Sequence, residues 1–226
     1  MLSLFSREGI LGLIVSIPGL LLAISLHEFA HGYAAYLMGD PTAKYSGRLS
    51  LNPMHHLDLM GALCMLFFRF GWAKPVPIDS RYFKNRRAGI VLVSLAGPFA
   101  NFILGFLFCL AYYGINAYMS GSFVGPSWVY LKNILPFFSE VCRYGVFMNV
   151  GLMIFNLIPI PPLDGSKILM EFLPGRIKYR IYEYERYFGI ILIIIVYAGV
   201  MSPVLSGLRS YIINFYEYIA GLIFFS

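Results

Sequence analysis

Long apolar stretches separated by short polar segments dominate the chain, and their lengths predict helices that cross a membrane. The first stretch runs from about Ile10 to Met38, the second from about Ala88 to Met119, and the third from Leu135 or Val141 to Leu157. A fourth, Tyr187 to Met201, and a fifth, about Val204 to Phe225, follow near the C-terminus. Because about 20 apolar residues in a helix cross the hydrocarbon core of a bilayer, the pattern predicts five spans.

The segment from Asp40 to Arg87, between the first two spans, has a different character. It holds eight of the seventeen Lys and Arg residues: Lys44, Arg48, Arg69, Lys74, Arg81, Lys84, Arg86 and Arg87. A second basic segment, Lys167 to Arg186, follows the third span. Basic loops face the cytoplasm by the positive-inside rule. The pattern therefore predicts a multi-pass protein of the cell membrane, with its N-terminus outside and its C-terminus inside.

Three stretches of the first basic region carry further structural signals. Leu57 to Phe70 is apolar but too short to span, which favours a re-entrant or interfacial segment. Thr42 to Leu51 alternates loosely, and prolines extend Trp72 to Ile78, so both stretches are compatible with short strands. The predicted fold class is all-α polytopic, with about five transmembrane helices plus a re-entrant or short β segment on the cytoplasmic side.

The domain organisation follows from the length. We predict a single membrane-embedded domain over residues 1–226, with a core of about 8–175 and a C-terminal helix pair of about 185–225.

Composition supports a membrane protein and argues against a nucleic-acid-binding protein and against a cysteine-based scaffold. Of the 226 residues, 59% are hydrophobic and only 12% are charged, whereas soluble domains carry about 25% charged residues. The net charge of +6 does not indicate nucleic-acid binding, because the basic residues fall in loops between spans. Cys64, Cys109 and Cys142 have no paired spacing, so neither a disulfide framework nor a cysteine zinc site is predicted.

The strongest chemical signal lies inside the first span, at Leu26 to Gly32. His27 and His31 are four residues apart, so on a helix they point the same way and can bind one metal ion. Glu28 follows the first histidine and can act as general base toward water at the metal. Ionisable residues at membrane depth are costly and mark functional sites. The motif therefore predicts a catalytic zinc site.

Catalytic zinc normally takes three protein ligands, so a third must come from elsewhere. The acidic candidates in or beside the spans are Asp164, Glu140 and Glu217, and the other histidines are His55 and His56. Asp164 follows the third span and reaches the same cytoplasmic half as the motif, whereas Glu140 begins that span on the opposite side. Glu217 lies between two tyrosines typical of a membrane interface. Membrane depth therefore favours Asp164.

The residues around Asp164 also mark it out. Three prolines, at 159, 161 and 162, predict an extended path before it, and Gly165 permits a tight turn after it. Non-helical backbone near membrane depth is tolerated where it lines a cavity or is buried in protein. The alternative is that Asp164 only caps a helix starting at Ser166. For His55 and His56, a solvated or backbone-bonded role competes with a second-shell, gating or second-metal role.

Taken together, several motifs resemble the site-2 protease family of intramembrane zinc metalloproteases. The match covers roughly residues 20–175 and is closest to the small prokaryotic branch without a PDZ insertion. Its motifs are His27-Glu-Phe-Ala-His31, Asn52-Pro-Met-His-His56-Leu-Asp-Leu-Met-Gly61, Gly71-Trp-Ala-Lys-Pro-Val-Pro77, Ala96-Gly-Pro-Phe-Ala-Asn101 and Asn156-Leu-Ile-Pro-Ile-Pro-Pro-Leu-Asp164-Gly165. One departure is Leu59, where that branch more often has proline, and this affects loop geometry.

The resemblance implies a specific site. One Zn²⁺ per chain would be held by His27, His31 and Asp164, with Glu28 as general base and Asn156 contacting the substrate or stabilising the oxyanion. Without the resemblance, an interhelical hydrogen bond is the simpler role for Asn156, and the same holds for Asn101.

The expected function is hydrolysis of a peptide bond within or next to a transmembrane segment, by water with Glu28 as base, as in regulated intramembrane proteolysis. The expected partners are a single-span membrane protein substrate and the lipid bilayer; the sequence does not predict an oligomeric state. Two alternatives use the same residues. A metal transporter is one, although inverted repeats typical of transporters are not visible. A catalytically silent homologue that binds membrane proteins is the other.

Overall fold

The computed structural model describes residues 7–58, 60–61, 73–120, 131 and 133–224. Within them the α-helices are α1 Arg7–Leu37, α2 Thr42–Tyr45, α3 Arg86–Met119, α4 Leu135–Asn156, α5 Asp164–Met170, α6 Gly175–Tyr197 and α7 Ser202–Phe224. Short 3-10 helices cover Pro53–His55 and Ser80–Tyr82. These residues form no strand, only a single antiparallel bridge between Leu57 and Ala73. The predicted all-helical fold is confirmed for this part of the chain.

Two helices of the described ranges are long and apolar enough to cross a membrane. They are Leu11–Leu37 within α1 and Arg86–Met119, which is α3. Helix α4 begins at Leu135, the earlier of the two predicted starts. Helix α6 begins at Gly175, well before the predicted fourth span, because its first half is a charged and tyrosine-rich helix that continues into the apolar stretch. Five spans therefore remain a prediction.

One compact unit comprises Met1–Ala23, Asn101–Leu152 and Ser206–Ser226. Its helices approach closely at glycines: a Cβ added to Gly19 would lie 2.8 Å from the Cα of Gly145. The side-chain amide of Asn101 donates to the carbonyl of Ala23 (3.0 Å) and to Oδ1 of Asn149 (2.9 Å). Small residues and interhelical hydrogen bonds are typical of helix packing in membranes. Asn101 thus has the structural role expected without the family resemblance.

The second compact unit comprises Ile24–Ala100 and Met153–Leu205. An apolar cluster of Ala35, Phe83 and Val93 joins the end of α1 to the start of α3. All the residues of the predicted metal site fall in this unit. The prediction of one domain over residues 1–226 stays a prediction, since each unit is assembled from separate stretches of chain.

The strand predicted in Thr42 to Leu51 is wrong, because this stretch begins with the short helix α2. The buried carboxylate of Asp40 accepts hydrogen bonds from the backbone N–H and the hydroxyl of Thr42, which fixes the turn. Gly47, at φ +66°, adopts the left-handed conformation that ends it. Local side-chain bonding to the backbone thus competed successfully with the loose alternation of the sequence.

Residues Ala73–Asp79, here named the anchored segment, contain no helix or strand and lie against the second half of α1. The N–H of Lys74 donates to the carbonyl of His56 (2.8 Å), and the N–H of Asp79 donates to Oδ2 of Asp40 (2.7 Å). The guanidinium of Arg48 donates to the carbonyls of Lys74 (2.6 Å) and Pro75 (3.2 Å). One backbone bond and the side chains of Asp40 and Arg48, rather than a strand ladder, therefore hold this segment. The predicted re-entrant element, Leu57 to Phe70, lies largely outside the described residues, as does Trp72.

Candidate metal centre

Helix α1 carries three of the predicted site residues on neighbouring turns. His27 and His31 are 5% and 6% exposed, so both imidazoles are buried, whereas Glu28 is partly exposed. The imidazole centroids lie 4.5 Å apart with the rings nearly perpendicular. The spacing of four residues therefore places both histidines on one face, as predicted.

Asp164 reaches this face from the start of α5. Between α4 and α5, the N–H of Leu163 bonds the carbonyl of Ile160 (3.0 Å), so the proline-rich connection is a turn rather than the predicted extended path. Gly165 is required by close approach: a Cβ there would lie 2.2 Å from the carbonyl oxygen of Leu157. Asp164 is the first residue of α5 rather than a cap before Ser166. The turn and the glycine together bring its carboxylate to the histidines.

The three side chains converge through one atom each. Nε2 of His31 lies 3.0 Å from both Nε2 of His27 and Oδ2 of Asp164, and Nε2 of His27 lies 3.2 Å from the same Oδ2. Tetrahedral zinc with ligands at about 2.0–2.2 Å separates them by roughly 3.3–3.6 Å. The observed triangle is close to that size, and its donors are the imidazole and carboxylate ligands that zinc prefers. The residues present therefore fit a zinc ion.

Two backbone features of α3 shape this triangle. Nδ1 of His31 donates to the carbonyl of Val93 (2.7 Å), which leaves the lone pair of Nε2 facing the triangle. A Cβ added to Gly97 would lie 2.4 Å from Nε2 of His31 and 2.7 Å from Cε1 of His27. Only glycine therefore lets α3 pass this close to the two imidazoles.

Glu28 is positioned by the anchored segment. Its Oε2 accepts a hydrogen bond from the backbone N–H of Val76 (2.9 Å). The side chain of Val76 is buried, and its Cγ1 would lie 3.1 Å from a Cβ on Gly32, one residue past the second histidine. One residue of the segment thus packs on α1 and orients the predicted base.

An exposed ion pair stabilises the far end of the anchored segment. The guanidinium of Arg81 donates to both carboxylate oxygens of Asp79, at 2.6 to 3.0 Å. This side-chain hydrogen bonding, with the backbone N–H of Arg81 adding to it, lowers the pKa of the Asp79 carboxyl to about 2. Asp79 therefore remains ionised at any physiological pH.

The other predicted residues lie apart from the triangle. His56 is fully buried, and its Nε2 donates to the carbonyl of Ser50 (2.6 Å), which supports a backbone-bonded role; His55 is exposed. Glu140 pairs with Arg143 (2.6 Å). Neither Glu140 nor Glu217 belongs to a potential metal-binding group of the described residues, whereas His27, His31 and Asp164 form one.

Asn156 is the last residue of α4 and is partly buried. Its predicted contact with substrate or oxyanion stays a prediction.

Sequence reasoning missed several contributors to the site. Val76 and Val93 act through backbone atoms, which every residue type has, so the sequence does not reveal their roles. Gly97 gave a weak signal as a Gly-Pro pair inside an apolar span. Lys167, whose ammonium lies 2.9 Å from Oδ1 of Asp164, was visible only as a basic residue three positions after the ligand.

Comparison with known proteins identifies the class. A family model described as Peptidase family M50 matches residues 15–198. The chain belongs to this family, that of the site-2 proteases, so the resemblance inferred from its motifs is confirmed. Membership of this family makes the chain a metalloprotease and, together with the two apolar helices of the described residues, a membrane protein. His27, His31 and Asp164 form the group that could hold the metal.

Individual relatives agree with this assignment. "Putative zinc metalloprotease YwhC" of Bacillus subtilis is 36% identical over 203 residues, covering 88% of this chain and 89% of the relative. Two proteins named "Putative zinc metalloprotease Rip2" also match. That of Mycolicibacterium smegmatis is 32% identical over 67% of this chain and 54% of its own length. That of Mycobacterium tuberculosis H37Rv is 27% identical over 86% and 69%. No solved structure gives a significant match.

Proposed function

We propose that the protein is an intramembrane zinc metalloprotease, which cleaves a membrane protein substrate within or next to a transmembrane segment. The observation that carries this proposal is the convergence of His27, His31 and Asp164 on one point, with Glu28 on the same helix held by Val76. A metal site built into an apolar helix is suited to a peptide bond at membrane depth.

In the proposed mechanism, His27, His31 and Asp164 hold one zinc ion. A bound zinc supplies Lewis-acid chemistry, since it polarises the scissile carbonyl and makes water more nucleophilic. Glu28 accepts the proton of the attacking water at its carboxylate and returns it to the leaving amine nitrogen as the C–N bond breaks. The hydrogen bond from Val76 to Oε2 keeps the carboxylate in one orientation, which lowers the entropic cost of reaching the reactive geometry.

Asn156 is the proposed oxyanion donor. Its amide could stabilise the developing negative charge, and removal of one such donor typically costs about 2.7–4 kcal/mol of transition-state stabilisation. An Asn156→Asp substitution, which keeps the shape but removes the N–H donors, should lower kcat much more than it raises KM. Unchanged kcat would return Asn156 to a structural role.

We also propose the membrane topology. Helices α1, α3, α4, α6 and α7 would each span the bilayer, with the N-terminus outside, the C-terminus inside and the active site in the cytoplasmic half. The basic residues between α1 and α3 support this orientation. Cysteine labelling from each side of sealed vesicles, at position 45 and at the C-terminus, tests it: both should react only from the cytoplasmic side.

The proposed substrate is a single-span membrane protein, such as a membrane-tethered regulator. Helical amides are hydrogen-bonded and shielded, so the substrate must unwind near the scissile bond. An extended substrate could then pair with the exposed edge of the anchored segment. Proline substitutions in the substrate, one position at a time around the cleavage site, should reduce cleavage with a two-residue period if such pairing occurs.

The decisive experiment compares the wild type with Glu28→Gln. Both proteins are purified in detergent, their zinc content is measured, and cleavage of a transmembrane substrate is followed. Glutamine keeps the shape of the side chain and can still accept from Val76, so only the base is lost. We expect about one zinc in both proteins and cleavage in the wild type alone.

The other outcomes separate the alternatives. Equal cleavage by both proteins would contradict the role of Glu28. Zinc binding without cleavage in either protein would favour transport, which zinc flux into liposomes then tests. Absence of zinc in the wild type would overturn the proposal.

A further inference from the structure

The two oxygens of the Asp164 carboxylate have different partners. Oδ2 faces the two histidine nitrogens, while Oδ1 accepts a hydrogen bond from the ammonium of Lys167 (2.9 Å). The Asp164 side chain is 6% exposed and that of Lys167 is 50% exposed. The lysine therefore reaches from the protein surface to the back of a buried carboxylate.

We propose that Lys167 is a positioning residue for the metal centre, which holds Asp164 as a ligand through one oxygen. The inference rests on the proposed function and deepens it. A carboxylate can bind a metal through one or both oxygens, and a hydrogen bond to Oδ1 competes with binding through both. Ligating carboxylates commonly have such partners, and loss of a partner typically costs 10- to 100-fold in metal affinity or activity.

The backbone around Asp164 is held in place, so the side chain is the part of this residue that can still rotate. Gly165 packs against the carbonyl of Leu157, and the hydroxyl of Ser166 bonds the carbonyl of Leu163 (2.6 Å), so the start of α5 is fixed. What remains is rotation of the carboxylate. Lys167, on the next turn of the same helix, restricts that rotation by holding one oxygen.

Charge gives the lysine a second effect. Asp164 is a buried carboxylate, and a second carboxylate, Glu28, lies next to one of the proposed ligands in sequence. A buried carboxylate is costly unless it is paired, and the ammonium of Lys167 pairs with Asp164 at the oxygen that does not face the histidines. An ordinary exposed pair of residues three apart on a helix would contribute only slightly to helix stability and nothing to the metal.

The chain offers a matched control for this contact. Lys178 forms an ion pair with Glu171 in the same compact unit, and neither residue is part of the metal-ligand group. Lys178→Met therefore removes a paired lysine of the same type without touching Asp164.

The test measures zinc affinity by competition with a chromogenic chelator, using the full-length protein in detergent. We expect Lys167→Met to weaken zinc binding about 10- to 100-fold, Lys167→Arg to restore most of it, and Lys178→Met to match the wild type. X-ray absorption of the zinc-loaded proteins should show one additional oxygen ligand in Lys167→Met, as Asp164 turns to bind through both oxygens.

Each remaining outcome is informative. Wild-type affinity and coordination in Lys167→Met would overturn the inference while leaving the proposed function intact. An equal loss in Lys167→Met and Lys178→Met would also overturn it, since the effect would then be general destabilisation. If Lys167→Met does not fold, a large loss of affinity in Lys167→Arg overturns the inference. Failure of the wild type to bind zinc would instead overturn the proposed function.

Discussion

The backbone N–H of Val76 donates to Oε2 of Glu28 across 48 positions of sequence, at 2.9 Å. A carboxylate that acts as a base must be held in one orientation, and here a main-chain donor holds it. The donor belongs to the anchored segment, which also packs on α1 through the side chain of Val76.

Val76→Pro tests this contact directly, because it removes the N–H without adding a charge. A hydrogen bond to a charged group contributes about 1.5–3 kcal/mol, so we expect kcat to fall roughly 10- to 100-fold. Zinc content should be unchanged, because the lost hydrogen bond is to Glu28, which is not one of the proposed ligands. Val76→Ala is the control, since it also loses the isopropyl group of valine but keeps the N–H. Equal activity of the two variants would contradict a positioning role for the amide.

Gly97→Ala should weaken metal binding, because α3 packs directly against the two histidines at this position. The added Cβ would lie 2.4 Å from Nε2 of His31, and overpacking of this kind typically costs about 1–3 kcal/mol. We expect zinc affinity to fall by roughly five- to 100-fold, measured by chelator competition. Gly189→Ala in α6 is matched, since a Cβ there meets nothing within 4 Å. Normal zinc binding in Gly97→Ala would mean that α3 can shift.

Asp40→Asn should loosen the anchored segment. The buried carboxylate accepts from Thr42 on one oxygen and from the N–H of Asp79 on the other. An asparagine amide must present its NH₂ group to one of these donors, a mismatch on the order of 1–3 kcal/mol. Hydrogen exchange at the amides of Val76 and Asp79 should therefore accelerate, with a smaller loss of kcat than in Val76→Pro. Unchanged exchange at both amides would show that the segment does not depend on Asp40.

The ion pair of Asp79 with Arg81 should contribute to stability at neutral pH and lose that contribution only in acid. Because the folded pKa of Asp79 is lowered to about 2, below the usual value of about 3.9, the stabilisation is fully present above pH 4. It is lost as the pH falls toward 2. The difference in melting temperature between the wild type and Arg81→Ala should thus be constant from pH 5 to 8 and shrink by pH 2.5. Lys84→Ala, which removes a nearby charge, should show no such convergence.

The sequence predicted the parts of the site that depend on side-chain type and regular spacing. The two histidines follow from the helical period, and Asp164 from its depth after the third span. The helices α1, α3 and α4 follow from apolar length. Side-chain type, helical spacing and apolar length are local properties, so they can be recognised in the sequence itself.

The remaining parts depend on contacts that side-chain type does not encode. Val93 contributes a carbonyl 62 positions from His31, and Val76 contributes an amide. The strand expected after Thr42 failed because one buried carboxylate bonds the local backbone, an interaction that alternation of residue types does not reveal. The number of spans cannot be predicted from the lengths of the apolar stretches alone, because α6 joins a charged half to an apolar half.

The arrangement of prolines around Val76 has a consequence for which chains can dock. Pro75 and Pro77 have no N–H, and the single amide between them is already bonded to Glu28. Along these three residues, the segment can offer a visiting strand carbonyl oxygens, that of Pro75 being shared with Arg48, but no donors. A peptide that aligns there must supply N–H groups at facing positions. The segment would therefore select peptides by their backbone N–H groups and disfavour substrates with proline at those positions. Two copies of the segment would pair poorly with each other, because neither has a donor to offer there.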